Sequence, residues 1–358
     1  MNPKDDTTRY HIISTLTQQF QQSGYVWRDV PIVQDAELFL SRASDNIIER
    51  LYTFEHQGKT LALRPEFTAI AMREYVESGR RDVVRWQFSG AIFQTGTNSA
   101  PDERISFGAE LIGLDEPLAD VEIIAQCLEG IRHLGITDWH LVMGHVGLQR
   151  HLLAHFGVNE AMLRQSLQQP PHRQDTQQEL PNQIQEGQAT YILDRLLDST
   201  PYGNTMGGRT RQDIAQRLLK RHSQYVSPET LAQAQAFLST WSELSLTPDT
   251  LDKLQPFFTP QDTQAHVFYT QWQSVLEALT KQHGINHHEM SIKPNLSRNW
   301  DYYTGIVFEI RTHDGTLLAS GGRYNELGYV IGKKANISAV GFTYYVENLL
   351  QKLRQEGK

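Results

Sequence analysis

The N-terminal part of the chain alternates between helical and strand patterns of apolar residues. A helix is predicted over residues 6–23, with a stop at Gly24 and an apolar face made of Ile12, Ile13, Leu16 and Phe20. Residues 51–65 predict two strands joined by the turn-forming sequence His-Gln-Gly-Lys, and a helix is expected to begin near Phe67. Two further strand patterns, in residues 83–96 and 104–114, are separated by a polar loop at 95–103.

The pattern changes in the middle of the chain and then returns to strands. A helix is predicted between Asp120 and Leu134, and a strand at 138–146. From about residue 158 to 280, glutamine is abundant and the apolar periodicity is helical, which predicts a helical insertion with a glutamine-rich loop. Such composition is typical either of a solvated loop or of disorder, and the interspersed prolines favour the loop. Later strands are predicted at 288–293, 304–311, 316–320 and at the start of 338–355.

Strands that resume after a helical interruption predict one α+β domain whose sheet is completed by distant parts of the chain. We divide the sequence into a first part of the core, residues 1–157, a mainly helical insertion, 158–280, and a second part of the core, 281–358. The expected architecture is an antiparallel sheet flanked by helices.

Composition and charge narrow the class of protein. The 358 residues are 39% hydrophobic and 21% charged, which is typical of a globular chain. No apolar run is long enough to span a membrane and no apolar segment follows the N-terminal charges, so we expect a cytoplasmic protein without a membrane partner. The net charge of −8 argues against general attraction of nucleic acid. Cys127 lies in a helical pattern and is expected to be a buried structural thiol rather than a reactive one.

Four groups of residues at strand edges occur in the order and spacing of the catalytic core of class II histidyl-tRNA synthetases. They are Leu-Arg-Pro-Glu-Phe-Thr at 63–68, the pair Phe-Ser-Gly-Ala-Ile-Phe and Gly-Ala-Glu-Leu-Ile-Gly within 88–113, Arg-Asn-Trp-Asp-Tyr-Tyr-Thr-Gly at 298–305, and Gly-Gly-Arg-Tyr-Asn at 321–325. The chain resembles that family over residues 6–150 and 285–350. The resemblance implies a class II synthetase fold.

The same resemblance implies a pocket for free histidine. Its ammonium would meet a carboxylate and a hydroxyl, its imidazole would be read by a carboxylate and a phenol, and its carboxylate would meet arginines through charge-assisted hydrogen bonds. The implied residues are, in that order, Glu66 and Thr68, then Glu110 and Tyr303 with Tyr302 and Tyr324 nearby, then Arg298 and Arg323. Each of them singly could instead form a structural hydrogen bond.

The chain departs from the synthetases where they bind ATP. Activation of an amino acid requires fixed cations beside the α-phosphate. Gln94 stands at the arginine of the second class motif, and in the third motif Asn348 replaces the arginine while Tyr345 occupies the glycine position. We therefore expect no catalytic residue and no bound cofactor. The histidines at 283–289 lie in a polar loop without a strict ligand pattern, so no metal is expected either.

A core of this kind resembles the regulatory subunits of ATP phosphoribosyltransferase. Because the chain ends soon after Asn348, neither an anticodon-binding domain nor a tRNA partner is expected. In the regulatory family, the subunit activates a short-form catalytic subunit and lets histidine inhibit the first step of histidine biosynthesis. The resemblance implies a homodimeric core, a short-form catalytic partner, L-histidine as ligand, and no chemistry by the chain itself.

Three alternatives remain open from the sequence. Ser106 stands where the family has a longer glutamine, and Trp300 could crowd the pocket, so the pocket either binds histidine or is retained only for its structural role. The rival enzymatic hypothesis is a synthetase paralogue that activates histidine or a related acid with ATP for an acceptor other than tRNA, with Arg298 assisting activation. A third hypothesis is a protein-binding module without affinity for histidine.

Overall fold

The computed structural model describes residues 3–40, 48, 50–96, 101–115, 117–158, 205–206, 209–210, 228–296, 300, 302–332 and 336–357. Contacts divide the chain into a larger unit, Met1–Leu152 with Ser239–Lys358, and a smaller unit, Leu153–Leu238. The predicted glutamine-rich loop and Arg298 lie outside the described residues. Within the described ranges, no helix has the length and apolar character that a membrane crossing requires.

The described residues of the first half of the chain form five helices and seven strands. They are α1 (Pro3–Gln22), β1 (Val26–Trp27), β2 (Val33–Asp35), α2 (Glu37–Leu40), β3 (Thr53–His56), β4 (Lys59–Leu63), α3 (Thr68–Glu77), β5 (Val84–Thr95), β6 (Pro101–Ile112), α4 (Leu118–His133), β7 (His140–His145) and α5 (Val146–Ala154).

The second half adds short strands, two 3₁₀ helices and the strands that complete the sheet. The elements are β8 (Thr205–Met206), β9 (Arg209–Thr210), α6 (Pro228–Glu243), a 3₁₀ helix (Pro248–Phe257), α7 (Thr263–His283), a second 3₁₀ helix (His287–Glu289), β10 (Met290–Ile292), β11 (Ile306–Arg311), β12 (Leu317–Arg323), α8 (Leu327–Gly332), β13 (Ala339–Tyr345) and α9 (Val346–Gln355).

An eight-stranded sheet in the order β1-β5-β6-β13-β12-β11-β7-β10 forms the centre of the larger unit. The ladders from β5 through β7 are all antiparallel, whereas β1 and β10 add to the two edges in parallel. Strand β13 lies between β6 and β12, so the last strand of the chain completes a sheet begun near its start. The predicted α+β architecture with an antiparallel sheet is confirmed.

The hairpin of β5 and β6 is longer than the sequence predicts. Its ladder runs from Val84 opposite Ile112 to Thr95 opposite Pro101. The polar loop expected at 95–103 is therefore too long, because polar residues at its start and end take part in the ladder. Strand formation there depends on pairing with a neighbouring strand, which a propensity pattern does not register.

Helix α1 packs on the sheet through the face that the sequence predicts. Ile12, Leu16 and Phe20 are completely buried, and Ile13 is half-buried. The Phe20 ring lies 5.4 Å from that of Phe107 on β6, centroid to centroid. Ile13 is less buried because it follows Ile12 by one residue, which turns it away from the centre of the face.

Cys127 on α4 is fully buried, as the sequence predicts for a structural thiol. Burial raises the pKa of the Cys127 thiol well above its usual value. The Tyr344 hydroxyl donates to the Cys127 carbonyl oxygen at 2.5 Å, which ties α4 to β13.

A second sheet, in the order β2-β4-β3, is formed by strands that lie between β1 and β5 in the sequence. The hairpin of β3 and β4 turns at Gln57 and Gly58, whose φ angles are 50° and 75°. Positive φ at both central residues is what a two-residue hairpin turn requires. The turn predicted at His-Gln-Gly-Lys is confirmed.

Residues 239–280 belong to the larger unit, which differs from the predicted insertion at 158–280. The Trp241 Nε1 donates to Gln149 Oε1 at 3.1 Å, and Leu246 pairs with Ile292 of β10. A helical apolar pattern indicates a buried face but does not indicate what covers it. The smaller unit has its own buried cluster of Leu153, Val158 and Ala234.

Candidate ligand-binding pocket

A cavity of about 540 Å³ lies against the β5–β6 hairpin. It is lined by the turn that leads into α3, the facing ends of β5 and β6, the aromatic residues Trp300, Tyr302 and Tyr303, the junction of β13 with α9, and the single residues Arg50 and Ser320. All of these residues belong to the larger unit. The cavity brings together five of the eight predicted histidine ligands, namely Glu66, Thr68, Glu110, Tyr302 and Tyr303.

Glu110 is the buried acid of this cavity. It lies on β6, between Trp86 of β5 and Gly341 of β13, and is 2% exposed. The Thr68 hydroxyl donates to its Oε1 at 2.6 Å, and the Tyr324 hydroxyl donates to its Oε2 at 2.5 Å. Desolvation raises the pKa of Glu110 to about 8, against the opposing effect of these two hydrogen bonds.

Glu66 holds the start of α3. Its Oε1 accepts from the Ala69 amide at 2.9 Å, and its Oε2 accepts from the Thr68 amide. A carboxylate at this position satisfies N–H groups that have no partner within the helix and complements the helix dipole. The carboxylate thus lines the cavity while it also fixes the turn that presents the Thr68 hydroxyl to Glu110.

Aromatic side chains form one wall of the cavity. Trp300 stacks on Tyr302 with 5.6 Å between ring centroids and 17° between planes, and the Tyr302 and Tyr303 centroids are 4.9 Å apart. Trp300, which from the sequence could crowd the pocket, thus stacks on Tyr302 as part of this wall. Burial raises the pKa of Tyr302 and Tyr324 well above the usual value, so both phenols are neutral hydrogen-bonding groups.

Gln94 and Asn348, which stand at the arginine positions of the synthetases, both line the cavity. Gln94 Nε2 donates to the Pro65 carbonyl oxygen at 3.2 Å, and Asn348 Nδ2 donates to the Leu317 carbonyl oxygen at 2.7 Å. Neither side chain carries a charge, and the side-chain amide of each donates a hydrogen bond to a backbone carbonyl oxygen.

The two other altered positions also line the cavity. The oxygens of Ser106 and Thr343 are 2.6 Å apart, and those of Ser320 and Tyr345 are 3.0 Å apart. Both pairs join side chains of neighbouring strands across the sheet or at its end. These hydroxyls therefore hydrogen-bond to each other and stabilise the wall of the cavity.

Glu347, the acidic residue kept from the third motif, is paired with helix α1. Arg9 donates from Nε to Glu347 Oε1 at 2.8 Å and from Nη2 to Oε2 at 2.9 Å. This two-point geometry is the strongest form of an arginine–carboxylate pair. It offsets one negative charge at the cavity end formed by α9.

The structure places two other predicted ligands differently. Tyr324 does not line the cavity but reaches it through its hydrogen bond to Glu110. Arg323 is 1% exposed and pairs with the buried Asp120, its Nη2 donating to Oδ2 at 2.6 Å. Its Nη1 donates to Ser338 Oγ at 2.8 Å. This guanidinium ties Asp120 of α4 and Ser338, the residue before β13, to the end of β12, and it is not among the groups that line the cavity.

Sequence reasoning missed Arg50 and Arg104, the two cations that line the cavity among the described residues. Arg104 donates from Nε to Asp102 Oδ1 at 2.8 Å. Arg50 donates from Nε to the Thr95 carbonyl oxygen at 2.6 Å. No motif marks either residue, because Arg50 lies far from the hairpin in the sequence and approaches it only in the fold.

A family model described as Histidyl-tRNA synthetase matches residues 1–349, so the chain belongs to the histidyl-tRNA synthetase family. One relative is the histidine–tRNA ligase of Methanocaldococcus jannaschii, which is 24% identical over 98% of this chain and 73% of its own length. The fold shared with this family is therefore that of a class II synthetase core.

The chain also resembles ATP phosphoribosyltransferase regulatory subunits. That of Brucella anthropi is 26% identical over 90% of this chain and 91% of its own length. A crystal structure from Bacillus halodurans, described as an ATP phosphoribosyltransferase regulatory subunit/histidyl-tRNA synthetase, has a TM-score of 0.69 at 20% identity, over 98% of this chain and 80% of that one. This structural likeness confirms the fold.

Proposed function

We propose that this chain is a non-catalytic regulatory subunit that activates a short-form ATP phosphoribosyltransferase and lets histidine inhibit it. The observation that carries the proposal is the contrast between the two parts of the cavity. The part with Glu66, Thr68, Glu110 and Tyr302 keeps the groups that suit an amino acid. At the arginine positions of the synthetases, Gln94 and Asn348 supply no positive charge for an α-phosphate.

Relatives of two kinds bear on this proposal. Some are named ATP phosphoribosyltransferase regulatory subunits, and others are named histidine–tRNA ligases. The regulatory relatives match this chain over nine tenths or more of their own length, as the share of 91% for the Brucella anthropi protein illustrates. The enzymatic alternative, activation of histidine or a related acid with ATP for an acceptor other than tRNA, is tested by the same set of assays.

The test is phosphoribosyl-ATP formation by the cognate short-form catalytic subunit, titrated with this chain and repeated with histidine. Saturable activation and inhibition by histidine only in the mixture are expected. Glu110→Gln should lose the inhibition by histidine, whereas Arg80→Gln, which alters an exposed pair with Asp82, should behave as the unaltered chain does. Absence of activation together with ATP–pyrophosphate exchange in the presence of histidine would establish the alternative instead.

We also propose that the core forms a homodimer. Strand β1 lies at an edge of the main sheet, and its Val26 and Trp27 side chains are 59% and 45% exposed. Exposed apolar side chains on the edge strand of a sheet favour association with another chain. Trp27→Glu is expected to shift the sedimentation coefficient from that of a dimer to that of a monomer. An unaltered chain that sediments as a monomer would contradict this part of the proposal.

A further inference from the structure

We infer that Arg50 forms an anion-binding subsite at the far end of the cavity from Glu110, for a small molecule that carries a phosphate or carboxylate group. The inference goes beyond the proposed function, because the groups proposed to hold histidine lie around Glu110. It also does not depend on whether the chain regulates a phosphoribosyltransferase.

The position of Arg50 follows from the register of the hairpin. Its Nε donates to the carbonyl oxygen of Thr95, the last residue of β5. Glu110 is instead opposite Trp86, near the beginning of β5. Successive residues of a strand advance by about 3.3 Å, so the two charged groups approach the hairpin at different ends.

The segment that precedes α3 connects these two ends. The Arg64 carbonyl oxygen accepts from the Phe93 amide at 3.0 Å, next to the Arg50 end, and the Thr68 hydroxyl reaches Glu110. The segment therefore follows the hairpin and lines the cavity along its length. A volume of 540 Å³ lies within the range of about 300–1,000 Å³ for small-molecule sites, which leaves room beyond a single amino acid.

Arg50 differs in its pairing from Arg104, which also lines the cavity, and from Arg9 and Arg323 near it. Arg104 is paired with Asp102, Arg9 with Glu347 and Arg323 with Asp120. Arg50 forms no ion pair among the described residues, and the hydrogen bond of its Nε to Thr95 leaves both terminal nitrogens without a partner there. A guanidinium has five N–H donors in a planar fork that matches carboxylate and phosphate oxygens.

The surrounding charges permit an anion but limit its affinity. Asp102 is neutralised by Arg104, while Glu103 is exposed on β6 and lines the same cavity. An anion at Arg50 must therefore overcome repulsion from Glu103, which salt screens only in part at this range. We expect weak binding that falls as ionic strength rises.

The experiment is titration calorimetry of the full chain with pyrophosphate and, separately, with succinate. Arg50→Gln is expected to weaken binding of the preferred anion about tenfold, which corresponds to about 1.4 kcal/mol. The matched control is Arg80→Gln, which removes the same charge from an exposed site paired with Asp82 and should leave binding unchanged. Thermal melting by tryptophan fluorescence verifies that each variant is folded.

The two anions distinguish the sources of the shared chemistry. Stronger binding of pyrophosphate would assign the subsite to phosphate, and stronger binding of succinate would assign it to carboxylate. Equal affinity in Arg50→Gln and the unaltered chain, an equal loss in Arg80→Gln, or no binding of either anion at millimolar concentration would overturn the inference. Titration of histidine into the same samples tests the Glu110 end of the cavity. Loss of histidine binding would therefore contradict the proposed function without bearing on the anion subsite at Arg50.

Discussion

Glu110→Gln is expected to remove the loss of stability that ionisation of Glu110 causes in the larger unit between about pH 5.5 and 8.5. Glu110 is the buried carboxyl of the cavity, with hydrogen bonds from Thr68 and Tyr324. Glutamine has nearly the same shape and can hydrogen-bond the same hydroxyls, but it does not titrate. The substitution therefore isolates the ionisation of this one group.

The sign and size of the effect follow from the shift in pKa. The pKa of Glu110 is about 8 in the folded chain and 4.5 as its ordinary value, so between these values the folded state binds more protons than the unfolded state. The stabilising contribution is fully present below the lower value and is lost as the pH rises through the higher one. Each pKa unit corresponds to about 1.36 kcal/mol, which gives a loss of about 3 kcal/mol over the window.

The assay is urea unfolding followed by tryptophan fluorescence at several pH values. All 6 tryptophans lie in the larger unit, so the signal reports on that unit. The free energy of unfolding of the unaltered chain, minus that of Glu110→Gln, should fall by about 3 kcal/mol across the window. Parallel curves for the two chains would refute the reasoning.

A second variant tests the hydrogen bond that opposes the rise in the pKa of Glu110. The Tyr324 hydroxyl donates to Glu110 and thereby opposes the rise of its pKa. Tyr324→Phe is expected to keep the dependence on pH and to move the loss of stability to higher pH. A shift to lower pH would contradict the opposing effect of the Tyr324 hydrogen bond on the pKa of Glu110.

Three further predictions concern the packing of the core. Gly341→Ala would place a methyl group against the Glu110 carboxylate, and we expect the free energy of unfolding in urea to fall by about 1–3 kcal/mol. An unchanged unfolding midpoint would contradict this packing. Asp120→Asn removes the negative charge that pairs with the buried Arg323 and should destabilise by about 3–5 kcal/mol in the same assay. A loss below about 1 kcal/mol would be inconsistent with a buried ion pair. Cys127 should react with a thiol reagent only after unfolding in urea, and rapid reaction of the native chain would show that the thiol is accessible.

Local sequence patterns predict the helices, strands and turns of this fold better than they predict which elements pack or pair with each other. The turn at Gln57 and Gly58 could be predicted because a two-residue hairpin needs residues that accept positive φ. The buried face of α1 followed from helical spacing. The length of the β5–β6 ladder and the assignment of 239–280 to the larger unit could not be predicted, because both depend on contacts with distant parts of the chain.

The same limit applies to the cavity. Glu66, Thr68 and Glu110 are recognisable as a group because they stand in motifs of fixed spacing. The motif that contains Arg323 gives no sign that its guanidinium pairs with Asp120 of α4, since no local pattern connects them. Arg50 reaches the cavity by a contact with Thr95 and has no motif at all. Single charged side chains are positioned by tertiary structure, and a sequence does not encode their partners locally.

The energetics of Glu110 favour a ligand-binding cavity over one retained only for structure. A glutamine amide at this position could accept the hydrogen bond from the Tyr324 hydroxyl and also hydrogen-bond the Thr68 hydroxyl. It would avoid the cost of burying a charge, which raises the pKa of the carboxyl. The carboxyl therefore destabilises the folded chain near neutral pH, where a purely structural role would be served better by glutamine. A bound amino acid that presents an N–H group to the carboxylate would offset that cost. Glu110→Gln should thus be more stable above about pH 7 and bind histidine more weakly, which is the trade-off expected of a binding residue.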